Sequence, residues 1–322
     1  MVDANAPMTP ITLRSGADGR RRALAGTLLV ALAAAGWGTW ALFLRNSGVP
    51  PSWQSVLILG VIATVSLPAA LLAGRGRRRS RALWLLVLAL GVLDAGNYIC
   101  FFSAVDRGPL ALAELTHYLA PVIVAILAPS LLREPLGKRT PPALVCSLAG
   151  LALLLFGSGG LSGAALPAAL LGSASAVFYG ATTLLSKRLL DDFAASELLA
   201  YHAAFAALLL LPLARAPLPA LHLVDGRPLA GALLIGCGCG AMFLLGLSRI
   251  PAQRGAVLTY LEPLVASAVG ALVFHEALSP TGLCGAGLIL AGGAAVVLQP
   301  AQAAHDPASA AARRGGSVGA GS

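Results

Sequence analysis

Apolar residues run through this chain in ten long stretches, at 23–44, 52–72, 82–105, 109–132, 141–156, 165–185, 197–213, 229–247, 255–274 and 282–298, separated by short polar segments. A helix needs about 20 largely apolar residues to cross the hydrocarbon core of a bilayer, so the pattern predicts ten transmembrane helices. The fifth stretch is short, and either extends into the Gly/Ser-rich 157–163 or lies partly against protein rather than lipid. Loops of a few residues leave no room for a soluble catalytic domain, so the functional groups must lie in the bundle. Arg20, Arg21 and Arg22 precede the first stretch as they would in a signal peptide. Its apolar run exceeds the roughly 7–15 residues of a signal core, and it is expected to be retained.

Composition agrees: 57% hydrophobic against 11% charged, with a mean hydropathy of +0.83, describes a chain whose main solvent is not water. A net charge of +9 would suggest nucleic acid in a soluble protein. The basic residues instead follow the membrane. With the N-terminus inside, 18 of the 22 Lys and Arg fall in inner segments, and only Arg45, Arg107, Arg215 and Arg227 fall outside. That asymmetry predicts an even number of spans with both termini cytoplasmic, and reads the run of arginines over 75–81 as a topology anchor. Segments 1–22 and 299–322 read as disordered cytoplasmic tails. Lys138 and Lys187 are the only lysines, an arginine bias that fits a high-G+C bacterium and hence a bacterial inner membrane.

An internal repeat organises the spans. Residues 101–152 align without a gap on 243–294 at a constant offset of 142, matching Phe101 to Phe243, Arg107 to Arg249, Pro109 to Pro251, Tyr118 to Tyr260, Pro121 to Pro263, Glu134 to Glu276 and Gly150 to Gly292. The same offset carries Gly38 onto Gly180, Trp37 onto Tyr179 and Arg45 onto Lys187. One unit therefore spans 23–157 and the other 165–298. Five helices is an odd number, so the second copy enters the membrane from the opposite side. Inverted repeats of this kind suit carriers that rock between inward-open and outward-open states of similar energy.

The paired patterns Tyr118-Leu-Ala-Pro121 through Arg133-Glu134 to Ala149-Gly150, and Tyr260-Leu-Glu-Pro263 through His275-Glu276 to Ala291-Gly292, resemble the EamA-type repeats of the drug/metabolite transporter superfamily. The resemblance implies an all-α integral membrane protein with two inverted five-helix repeats, a central cavity lined by helices 1 to 4 and 6 to 9, and helices 5 and 10 set aside. It implies no substrate, since such carriers handle amino acids, other metabolites, nucleotide sugars and drugs.

Ionisable groups inside a membrane need a partner or a purpose, and there are few here. Asp94, Asn97 and Tyr98 share one face of the third helix, extended by Phe101, and read either as a solute-binding strip or as a hydrogen-bonded cluster fastening helices. Glu114, His117 and Tyr118 repeat that spacing on the fourth, where a carboxylate one turn from an imidazole can share a proton. Glu262 breaks the pseudo-symmetry, because its counterpart is Ala120, which suggests an acid serving the solute rather than the fold. Candidate solute contacts are Trp37, Asp94, Asn97, Tyr98, His117, Tyr118, Tyr179 and Tyr260, and candidate proton-coupling acids are Glu262, Glu114 and Asp94. Glu134 and Glu276 read as structural. Pro121 and Pro263 predict matching kinks. No Lys or Arg lies deep in a span, which favours a neutral, zwitterionic or cationic solute, or a proton, over strong anions.

The pairs Ala143/Ser147 and Gly287/Ala291 have the four-residue spacing of close helix contacts, leaving an internal contact and a homodimer as alternatives. The five cysteines show no metal-ligand spacing, Cys237-Gly-Cys239 being the nearest to a motif, and no cofactor is expected. A secondary carrier, in the direction of export, is the leading reading. The absence of a phosphate-binding Gly-x-x-x-x-Gly-Lys-Ser/Thr loop disfavours an ATP-driven pump. The alternatives are a membrane enzyme using Glu114 and His117 as an acid/base pair, for which no nucleophile or metal cluster is at hand, and a scaffold without transport activity.

Overall fold

With no water to satisfy backbone N–H and C=O groups, a segment in lipid must close its hydrogen bonds within itself, and the apolar stretches all do so as helices. The computed structural model describes residues 16–45, 47–107, 110–156, 165–217, 226–275 and 279–298, and no strand occurs among them. Nine helices among the described residues are long and apolar enough to cross a membrane: α1 (Asp18–Leu44), α2 (Trp53–Gly74), α3 (Arg81–Arg107), α4 (Leu112–Leu131), α6 (Leu166–Leu189), α7 (Ala195–Leu213), α8 (Arg227–Leu247), α9 (Ala252–Val273) and α10 (Pro280–Val297). The remaining member, α5 (Thr140–Leu155), is apolar but shorter, and its suggested extension over 157–163 lies outside the described residues. Outward-facing leucines and their like recur at helical spacing, as with Leu24, Leu28 and Leu32 on α1 and Leu85, Val92 and Ile99 on α3. These rows are the lipid-facing surface.

The repeat seen in the sequence governs how the helices meet. Gly38 of α1 lies so close to α9 that an added Cβ would stand 2.5 Å from the carbonyl of Glu262 and 2.7 Å from Val265. Its mate Gly180 of α6 packs in the same way on Ala120 and Ile123 of α4, the counterparts of Glu262 and Val265. At Gly150 of α5 the near atoms belong to Gly285, Leu288 and Ile289 of α10, and at Gly292 of α10 they belong to Ala143 and Ser147 of α5, again related by the offset. So α1 leaves its own repeat to pack on α8 and α9, α6 packs on α3 and α4, and α5 and α10 pair with each other.

Two expectations change here. Ala143 and Ser147 do face a helix, and that helix is α10, so their contact is internal. Gly287 and Ala291 do not share in it: both are exposed, and nothing lies near a Cβ built on Gly287. Helix α9 also begins earlier than the apolar run suggests, at Ala252, which puts the buried Arg254 in its first turn.

Both halves break where the shared motif lies. Helix α4 is interrupted at Tyr118 and Leu119, and α9 at Thr259 and Tyr260, just ahead of Pro121 and Pro263. Proline lacks an N–H and its ring crowds the carbonyl four residues back, so the turn before it tightens. Val122 and Glu262 then bond the carbonyls three residues back, Leu119 and Thr259, rather than four. The carbonyl of Tyr118 is left free of its usual helical donor. It accepts instead from the hydroxyl of Tyr260, its own counterpart, at 2.9 Å. The two tyrosines therefore sit on the pseudo-two-fold axis. At the ends of the broken helices, Arg133 and His275, another related pair, both adopt a left-handed φ of 56°.

One end of the bundle is tied by ions. Arg79 and Glu197 form a buried pair at 2.7 Å, with Arg79 also over the Phe193 ring and bonded to the carbonyl of Asp192. Glu134 accepts from the N–H of Ala252 and lies 3.7 Å from the Lys187 ammonium, which donates to the carbonyls of Leu247 and Ile250. Burial pushes the Glu134 carboxyl up from its ordinary range, against the pull of Lys187. This agrees with the structural reading of Glu134. Its counterpart Glu276 lies outside the described residues.

Candidate solute site

The break in α4 presents His117 and Tyr118 toward α3 and α6. His117 lies with Nδ1 2.8 Å from the hydroxyl of Ser175 on α6, and that hydroxyl donates to Oδ1 of Asn97 on α3 at 2.7 Å. The imidazole stacks on Tyr179, with centroids 5.0 Å apart and planes 14° apart, and meets Phe101 at 4.9 Å and Tyr118 edge-on at 5.2 Å. Tyr118 continues to Tyr260 at 5.9 Å. Five rings from α3, α4, α6 and α9 thus form one aromatic cluster.

Carboxylates border it. Glu262 follows the α9 break, and its carboxyl is within reach of the Tyr118 hydroxyl. Glu114, one turn before His117, is near enough to act electrostatically on both Tyr118 and Glu262. Tyr98 lies within the fields of Asp94 and Glu262, and stacks on Phe102 at 6.0 Å. Asp94 itself turns to α7, with Oδ2 3.3 Å from Nδ1 of His202, at ion-pair distance but too oblique for an aligned hydrogen bond. Lys and Arg residues of the spans are confined to their ends.

Of the residues expected from the sequence, Asn97, Tyr98, His117, Tyr118, Tyr179 and Tyr260 are brought around this cluster, with Glu114, Glu262 and Asp94 beside them. Trp37 is placed differently: it packs on Phe243 of α8 at 5.0 Å, against the apolar core. Trp40 packs at the start of α8, near Gly231. His117 also departs from expectation, since its hydrogen bond runs across to Ser175 and not down the helix to Glu114. Thr116, on the other face, bonds the carbonyls of Leu112 and Ala113.

Sequence reasoning singled out neither Ser175 nor the pairing of His202. One signal could have found the first. Applied to every polar residue, the offset of 142 sends Asp94, Asn97, Tyr98, Glu114, His117 and Ser175 to Gly236, Cys239, Gly240, Ala256, Thr259 and Ala33. The scaffold is symmetric and the chemistry is not. The small counterparts are used for packing: Gly236 lies against Ile62, Gly240 against Leu199, and Cys239 against Gly36. In the same stretch α8 winds as a π-helix over Ala232–Cys239, while the matching part of α3 stays α-helical. Among the described residues no three His, Cys, Asp or Glu side chains are grouped to hold a metal ion.

An uncharacterised transporter of Archaeoglobus fulgidus is 29% identical over 276 residues, which cover 83% of this chain and 94% of that protein. The transporter YwfM of Bacillus subtilis is 28% identical over 87% of this chain and 97% of its own length. The aromatic amino acid exporter YddG of Ancylobacter novellus is 31% identical over 157 residues, 47% of this chain and 54% of the exporter. One solved crystal structure superposes with a TM-score of 0.71 at 24% identity, covering 85% of this chain and 98% of that one, and so shares the fold. A model of the EamA-like transporter family matches residues 24–156 and again 166–298, and the chain belongs to that family.

Proposed function

We propose that this carrier exports a small amine-bearing solute, zwitterionic or cationic, across a bacterial cell membrane by alternating access, in exchange for protons. The observation that carries the reading is the aromatic cluster of Phe101, His117, Tyr118, Tyr179 and Tyr260 bordered by the carboxyls of Glu262 and Glu114, with basic side chains held to the span ends. An ammonium is stabilised by carboxylates and by ring faces, whereas an anion there would meet like charge without a fixed cation to offset its desolvation. The inverted repeat supplies two nearly equivalent arrangements for alternation. The partial similarity to an aromatic amino acid exporter adds support for an aromatic amine or amino acid.

Solute counterflow in proteoliposomes tests this. Vesicles preloaded with phenethylamine or L-phenylalanine are expected to take up the labelled compound, and vesicles preloaded with phenylacetate are not. Counterflow of the carboxylate alone would overturn the amine reading.

Orientation is tested separately, on the strength of the charge asymmetry. Reporter fusions after Arg79, Arg139 and Lys187 should report cytoplasm, and fusions after Arg45 and Arg227 the outside. A cytoplasmic signal at the second set would reject the proposed topology.

A further inference from the structure

Ser175 is fully buried, and its hydroxyl has a single proton to give. That proton goes to Oδ1 of Asn97 at 2.7 Å, so the 2.8 Å contact with His117 is satisfied only if the imidazole donates from Nδ1. A neutral imidazole protonated at Nδ1 carries its lone pair on Nε2, at the opposite edge of the ring. One face of that ring is taken by Tyr179, and Phe101 and Tyr118 stand around it. His117 is nevertheless only partly buried.

From this arrangement we infer that Ser175 is a specificity-determining residue: by fixing the His117 tautomer through Asn97, it makes Nε2 an acceptor that selects solutes bringing an N–H donor. The inference rests on the amine reading of the site and narrows it. Glu262 and Glu114 attract primary and quaternary ammonium groups alike by charge, and accept hydrogen bonds only from the first. The Nε2 lone pair adds a further directional acceptor within the ring cluster, because a trimethylammonium group has no proton to offer. The second repeat offers no rival acceptor at the related position, where Thr259 bonds its own helix at the carbonyl of Ala256. The positions matching Ser175 and Asn97 are Ala33 and Cys239.

The test uses the full chain in liposomes and two readouts. The first is competition of counterflow by phenethylamine and by its N,N,N-trimethyl derivative. The wild type should favour the primary amine about tenfold, the scale of one hydrogen bond to a charged group. In Ser175→Ala both tautomers become open to His117, and the preference should fall to about twofold, while Ser175→Thr, which keeps the hydroxyl, should restore it. The second readout is nitrogen NMR of histidine-labelled protein, with His117→Gln identifying the resonance. The wild-type ring should be protonated at Nδ1, and that signature should be lost in Ser175→Ala. An Nε2-protonated ring in the wild type, or an unchanged preference in Ser175→Ala, would overturn the inference. Failure of either amine to exchange in the wild type would reject the amine reading itself, and the NMR arm would then still decide whether Ser175 sets the tautomer.

Discussion

Vesicles carrying Glu262→Gln are expected to lose solute accumulation driven by a pH difference while retaining slow downhill flux. The carboxyl lies midway along α9, beside the Tyr118 hydroxyl and within the field of a second acid, Glu114. A carboxylate inside a span needs a partner, and a proton and an ammonium can each serve as one. On the proposed exchange, competition between proton and ammonium at Glu262 would link the two facing states to the pH on each side. With one proton exchanged per solute, a difference of one pH unit sustains up to about tenfold accumulation on the acidic side, or roughly 1.4 kcal/mol. Glutamine keeps the shape and cannot release the proton, so accumulation should vanish. Undiminished accumulation would remove Glu262 from coupling and leave Asp94 and Glu114 to be tested in turn.

The largest effect on stability is expected at the α5–α10 seam. A Cβ on Gly150 would stand 2.6 Å from the carbonyl of Gly285, 2.8 Å from Leu288 Cβ and 2.9 Å from the amide nitrogen of Ile289. Two of those three atoms are backbone, which cannot swing aside, so Gly150→Val must separate the helices. Overpacking of this kind costs about 1–3 kcal/mol and often more when backbone is struck. The thermal midpoint in detergent should fall by roughly 2–5 °C. Gly287→Val is the control, because nothing lies within 4 Å of its Cβ, and it should melt as the wild type does. Equal melting of both variants would show that the seam does not hold the fold together.

Much of the architecture was legible in the sequence because a bilayer leaves so few options. An apolar run of spanning length has to be a helix, and a fixed offset between two copies relates their contacts as well as their residues. Tyr118, Pro121, Tyr260 and Pro263 marked where the helices break, although the interruption falls two to four residues ahead of each proline. What could not be read was sideways contact. The spacing of Gly287 and Ala291 is as suited to packing as that of Ala143 and Ser147, yet only the second pair meets a helix. Nothing local to His117 says that its partner is Ser175 and not the carboxylate one turn away, because that choice depends on how α6 is rotated against α4. Trp37 likewise follows Phe243 rather than its repeat-mate Tyr179 into the aromatic cluster.

The crossing of α1 onto the other repeat also bears on how the protein is made. Its close contacts are with Gly246, Arg249 and Ile250 at Gly26, and with Glu262 and Val265 at Gly38. A ribosome must therefore deliver eight more helices before the first one finds its place. Until then α1 stands in the bilayer with a glycine-lined side facing lipid, where its own hydrogen bonds keep it helical. Assembly of this carrier waits on its last third.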